Sequence, residues 1–147
     1  MSLGINIPIV SQGFDSAQDI VERHNKKLSE TKEYVYFSTS NRIDPKKAED
    51  VDYILLSNQY GLRYLCQVVD YIFYVDKGIP VDSVVYSPKK YADVPVKHWF
   101  KICSIEIMES EEVRKFIPLN QAVIQKYGNV ESYIENTKRL QIFYFKK

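Results

Sequence analysis

Val51-Asp-Tyr-Ile-Leu-Leu-Ser-Asn-Gln-Tyr-Gly-Leu-Arg-Tyr-Leu-Cys-Gln-Val-Val-Asp-Tyr71 reads as an apolar strand, a short polar turn and a second, longer strand. The turn is Ser57-Asn58-Gln59-Tyr60-Gly61. Gly61 takes a positive φ without steric cost, and Asn58 tolerates one better than most residues. The second strand runs on to Val75. On it Leu62, Tyr64, Cys66, Val68 and Ile72 share one face, and Leu65, Val69, Tyr71, Phe73 and Val75 share the other. Apolar residues on both faces predict a strand covered on both sides. A mixed, curved β-barrel flanked by short helices meets that demand, and the fold class is α+β. Small polar groups at the hairpin tip, inside an aromatic-rich barrel, can hold a flat ligand.

Outward from this hairpin, the pattern predicts a helix over 17–30. Ala17, Ile20, Val21, His24 and Leu28 follow the spacing of one helical face. Ser16 with Asp19, or Asp15 with Gln18, can cap its start. Residues 34–40 form an aromatic and β-branched strand, and 41–50 a polar loop around Pro45 with room for one helical turn. Short strands follow at 81–86 and 99–108, separated by a loop carrying Pro88 and Pro95. Ser110 caps a helix to Phe116, which Pro118 stops. Asn120 caps a helix over 121–127, and Gly128 ends it. A helical turn at 130–134 and a closing strand at 140–145 complete the chain. Met1-Ser2-Leu3 is set aside as a cloning remnant.

With 147 residues, the chain is expected to be one domain over 1–147, large enough to need no covalent staple. A hydrophobic content of 45% is too high for disorder. No apolar run nears the roughly 18 residues of a membrane span, and no signal-peptide pattern opens the chain. A cytoplasmic location without membrane contact is the expectation, with Cys66 and Cys103 as reduced core thiols. The net charge of +1 does not indicate nucleic acid by itself. The basic residues are nonetheless doubled: Lys26-Lys27, Lys46-Lys47, Lys89-Lys90, Lys138-Arg139 and Lys146-Lys147. Such doublets are ordinarily solvated, and they form a phosphate-contacting face only where the fold gathers them.

Catalytic patterns are scarce. Two histidines, His24 and His98, do not make a metal set, and each reads best as a core or edge residue. No nucleophile elbow is present, and the five glycines fit neither a phosphate loop nor a dinucleotide fingerprint. No metal and no cofactor are implied. The supply of rings is large: twelve tyrosines, seven phenylalanines and the single Trp99. Most belong to the core, but a ring beside small polar groups can stack on a base.

The order of elements resembles the PUA-like superfamily, and within it the EVE and YTH branches. The resemblance spans roughly residues 34–134. It lies in the strand and polar segment Tyr34 to Asn41, the hairpin Ile54-Leu-Leu-Ser57-Asn58 with Gly61-Leu-Arg-Tyr-Leu-Cys-Gln-Val-Val69, the later strand His98-Trp99-Phe100-Lys101-Ile102, and the two short helices after it. It implies a PUA-like curved barrel that binds nucleic acid and holds a modified or flipped-out base in an aromatic pocket. By position it carries over Ser38, Thr39, Ser40 and Asn41, then Ser57 and Asn58, with Trp99 or a tyrosine as a wall of one shared cavity. The chain departs from the YTH cage, which uses two or three aromatic residues, commonly tryptophan. It also lacks the G-x-K-x-x-E-x-R signature of the related ASCH branch.

Three readings follow. The first is a non-catalytic nucleic-acid-binding module. The second is a protein-interaction or regulatory domain without a nucleic-acid role. The third is a small ASCH-like hydrolase of nucleoside-like substrates. A basic rim on the pocket favours the first, an apolar patch the second, and a lysine touching a carboxylate in the pocket the third.

Overall fold

The computed structural model describes residues 2–147. It is an α+β arrangement around one mixed seven-stranded sheet, in the order β2-β5-β4-β3-β1-β7-β6. Those strands are β1 (Leu3–Pro8), β2 (Val35–Thr39), β3 (Tyr53–Ser57), β4 (Arg63–Gly78), β5 (Val96–Ile107), β6 (Ile117–Pro118) and β7 (Phe143–Lys146). The helices are α1 (Ala17–Thr31), α2 (Pro45–Ala48), α3 (Ser83–Tyr86), α4 (Ser110–Val113), α5 (Gln121–Tyr127) and α6 (Val130–Asn136). β1 and β3 are parallel neighbours, and the other pairings are antiparallel. β2 and β6 are the two ends and do not pair, so the sheet is not closed by hydrogen bonds.

α1 starts where a reciprocal capping box holds it. The Ser16 hydroxyl accepts from the Asp19 N–H, and the Asp19 carboxylate accepts from the Ser16 N–H. Ala17, Ile20, Val21 and His24 form its buried stripe. That stripe packs on Ile5, Ile7, Ile54, Leu56, Phe100 and Ile102 of the sheet. On the opposite face, Leu55, Leu65 and Phe145 meet Val113, Phe116, Val130 and Ile134 from the α4–α6 region. Farther along that face, Tyr36 and Trp99 are buried beside Ile72 and Tyr74. Phe145 lies directly over Gly4, its register partner. A Cβ there would stand 2.2 Å from the ring, so only glycine fits.

The hairpin reading of 51–71 holds, with Gly61 at φ +97°. The two-faced reading of the second strand needs correction. Only its first part is covered on both sides. Val69, Phe73 and Val75 are exposed. The faces also exchange along the strand, because the β4–β5 register skips Cys103 and then Val69. These irregularities bend the pair and increase its twist. Cys66 and Val68 therefore face α1, and so does Tyr71 beyond the bulge, whereas Ile72 turns to Tyr36 and Trp99.

Other expectations shift as well. Leu3, set aside above, opens β1, a strand not anticipated over its short length. Residues 81–86 are not a strand but a turn and α3. Two tyrosine hydroxyls on the β2 side, Tyr34 and Tyr36, donate to Asp82 at 2.5 and 2.6 Å and pin that segment to the sheet. Its valines face outward instead. α4 ends at Val113, and its cap is Glu109 rather than Ser110. β5 begins at Val96 and β7 at Phe143. The helix over 121–127, its Asn120 cap and its Gly128 stop agree with the pattern. No helix among the described residues is long and apolar enough to cross a membrane.

Candidate functional site

Two cavities open at the carboxyl end of β1, and the larger also meets the end of its parallel neighbour β3. They share the wall formed by residues 8–10. In βα units the carboxyl ends of parallel strands are where loops diverge and leave space for ligands.

The larger cavity, about 930 Å³, lies between the tip of the β3–β4 hairpin, the start of α1 and residues 138–141. Asn58, Tyr60, Gln18, Lys138 and Arg139 are among its lining. Tyr60 is 92% exposed, so its ring is presented rather than packed. The tip itself is rigidly built. The Asn58 side-chain oxygen accepts from the N–H groups of Tyr60 and Leu62, both at 2.9 Å. Arg63 lies beneath it, nearly sealed from solvent. Its Nε and Nη2 donate to Glu131 at 2.9 and 2.7 Å, and its Nη1 donates to the Asn58 and Leu62 carbonyls. Gln59 donates to the Thr137 carbonyl. The hairpin tip is thereby tied to α6, and the 138–141 segment follows directly.

The smaller cavity, about 410 Å³, lies between α1 and the exit of β2. Ser38, Thr39, Ser40 and Asn41 all line it, together with His24, Phe37, Lys90 and Tyr91. Phe37 and Tyr91 flank the His24 ring, at 5.5 and 5.2 Å between centroids. His24 is 4% exposed, and burial pushes its pKa down to about 4. Its Nδ1–H donates to the Ile20 carbonyl at 2.7 Å, which leaves Nε2 as a bare acceptor. The Tyr91 hydroxyl is buried without a partner, a condition costing about 1–3 kcal/mol when nothing completes it. Lys90, at the edge, is engaged by Asp15, which also takes Arg23 Nη2 at 2.9 Å. The contacts from Lys90 and then Arg23 hold the Asp15 carboxyl below its usual range.

The anticipated residues are therefore divided. Ser38, Thr39, Ser40 and Asn41 gather in the smaller cavity, with Tyr91 as an aromatic wall. Asn58 lines the larger one. Ser57 lines neither: it is fully buried, and its hydroxyl donates to Asn6 Oδ1 at 2.7 Å. Trp99 lines neither as well. Its ring is fully buried edge-on to Tyr36, and its indole N–H donates to the Gly78 carbonyl at 2.9 Å. The doublet Lys138-Arg139 belongs to the site, whereas Lys89-Lys90 is half spent on Asp15. The sequence pattern puts His24 in the core and singles out neither Tyr60 nor Tyr91. The signal for His24 was its position on the buried stripe of α1. No local signal marked the two tyrosines among twelve. Among the described residues, no cluster of three or more His, Cys, Asp and Glu could hold a metal ion.

Comparison of the chain with protein-family models, with curated proteins and with solved structures finds no match.

Proposed function

We propose that this protein is a non-catalytic nucleic-acid-binding module. An unpaired strand crosses the larger cavity, and one modified or flipped-out base enters the smaller one. One observation carries this reading: an exposed ring, Tyr60, and the Lys138-Arg139 doublet share one cavity, and a ring-walled cavity without a carboxylate adjoins it. Exposed rings stack on bases of any sequence, and cationic side chains follow the phosphates. The PUA-like kinship is part of the proposal. The mixed bent sheet and the order of short helices support it, and the unpaired ends β2 and β6 are the feature it has to accommodate.

The test is oligonucleotide affinity across salt concentrations, with modified and unmodified bases. On a single strand each phosphate contact contributes about −0.7 to the log–log salt slope. Lys138→Ala with Arg139→Ala should flatten that slope by about 1.4. Tyr60→Ala should weaken binding by about 1–3 kcal/mol at every salt concentration, because stacking releases no counterions. Affinity undetectable at low salt for every oligonucleotide would sink the reading.

The interaction-domain reading then takes its place. It is favoured by Val75, Val81, Val84 and Val85, all exposed within one short stretch of chain. The hydrolase reading is favoured by the Lys90–Asp15 contact. Asp15, however, serves two cations and does not line the cavity, which suits a structural latch better than a base.

A further inference from the structure

The cavity against α1 has a chemistry of its own. No carboxylate lines it, and its only cation, Lys90, is engaged by Asp15. A cation finds no counter-charge inside, and an anion would have to compete with Asp15 for Lys90. Its walls are Ile7, Ile9, Ile20, Phe37 and Val96, and the rings beside His24 favour a flat guest. The tautomer of His24 is set by geometry. With Nδ1–H donated to the Ile20 carbonyl, Nε2 presents a lone pair, and no protein group donates to it. The ring is nine-tenths buried, and Nε2 is not among the sealed unpartnered atoms, so it keeps a little surface that a guest can reach. The Tyr91 hydroxyl beside it is also unpartnered.

We propose that this cavity takes an uncharged planar ring that donates one N–H or O–H to Nε2 of His24. His24 is then the residue that selects the guest by its donor. For a base in a strand the inference rests on the reading above. For a free small ring it stands alone.

The experiment uses matched pairs of small rings that differ only in that donor: indole against 1-methylindole, and 2-pyridone against its N-methyl form. Benzoate and benzylamine serve as charged comparators. Affinities are read by NMR titration, with the ring nitrogens of His24 observed directly. The N–H member of each pair should bind about tenfold more tightly than its methylated partner, the worth of one buried hydrogen bond. The Nε2 resonance should move on binding, and the charged rings should bind more weakly than the neutral donors. His24→Phe should abolish the preference within each pair. His24→Gln, which retains an acceptor, should keep part of it and serves if the phenylalanine variant does not fold. Equal affinities within the pairs, a stationary Nε2 resonance, or occupancy by water alone would overturn the proposal. A wild-type protein that selects N–H rings but binds no oligonucleotide would remove the nucleic-acid reading and leave this one standing.

Discussion

A histidine on the buried stripe of a helix makes stability depend on pH, and the sign follows from its surroundings. Burial pushes His24 down to about 4, against an ordinary 6.5. The unfolded chain therefore binds that proton more readily than the folded one. Stability is whole above the ordinary value and falls as pH drops toward the folded value. Between about pH 7.5 and about pH 5 the loss should be roughly 2 kcal/mol. His98 is pushed down as well, by burial and then by Lys97, and adds in the same direction. Asp15, held low, acts only in stronger acid. Urea unfolding across this window should show the decline, and His24→Phe should reduce it to the share of His98. An unchanged pH dependence in that variant would mean that the buried ring is not the cause. Trp99 teaches the converse lesson. Its solitary status suggested a binding wall, but a large ring with one donor is equally suited to a core where two carbonyls await its N–H.

Between elements, the Arg63–Glu131 pair fastens β4 to α6 across the second face of the sheet. Both groups are buried, and Arg63 also serves two carbonyls of the hairpin tip. Removing one partner leaves a charge stranded away from water. Glu131→Ala should cost about 3–5 kcal/mol in urea unfolding, and Glu131→Gln, which retains an acceptor, should cost less. A loss below 1 kcal/mol for the alanine variant would show that water reaches Arg63. Neither partner stood out in the sequence, because an arginine at a strand start and a glutamate in a short helix usually meet solvent. What was legible were elements with local causes: the Ser16–Asp19 cap, the Asn58–Gly61 tip, and the Asn120 and Gly128 boundaries. What was illegible depended on distant chain. Residues 81–86 carry a strand composition, yet Tyr36 of β2 and Tyr34 just before it hold Asp82 and bend the segment away. The exchange of faces along β4 came from skipped residues on two strands, which alternation within one strand cannot reveal.

For the molecule as a whole, a charge of +1 predicts little, and the placement of the basic doublets predicts more. Lys138-Arg139 lines a cavity, whereas Lys26-Lys27 lies in the second half of α1, away from the cap that borders that cavity. Lys26→Ala with Lys27→Ala should leave the oligonucleotide salt slope unchanged, although it removes the same formal charge as the pair of changes at 138 and 139. An equal flattening by both pairs would mean that binding reads net charge and not the site. The sequence pattern offers the polar segment 38–41 and the hairpin tip as candidates, and 38–41 and Asn58 border cavities whereas Ser57 does not. It could not show that residues 8–10, at the exit of β1, would stand between them, because β1 was the strand it passed over. That strand has one more consequence. β1 lies in the middle of the sheet, between β3 and β7, so Gly4 waits for Phe145. During synthesis the first of these strands to leave the ribosome has no complete set of neighbours until the last has emerged. The sheet therefore closes around its oldest segment late, as a cooperative final step, and an unfinished chain carries an unpaired central edge that a chaperone would have to shield.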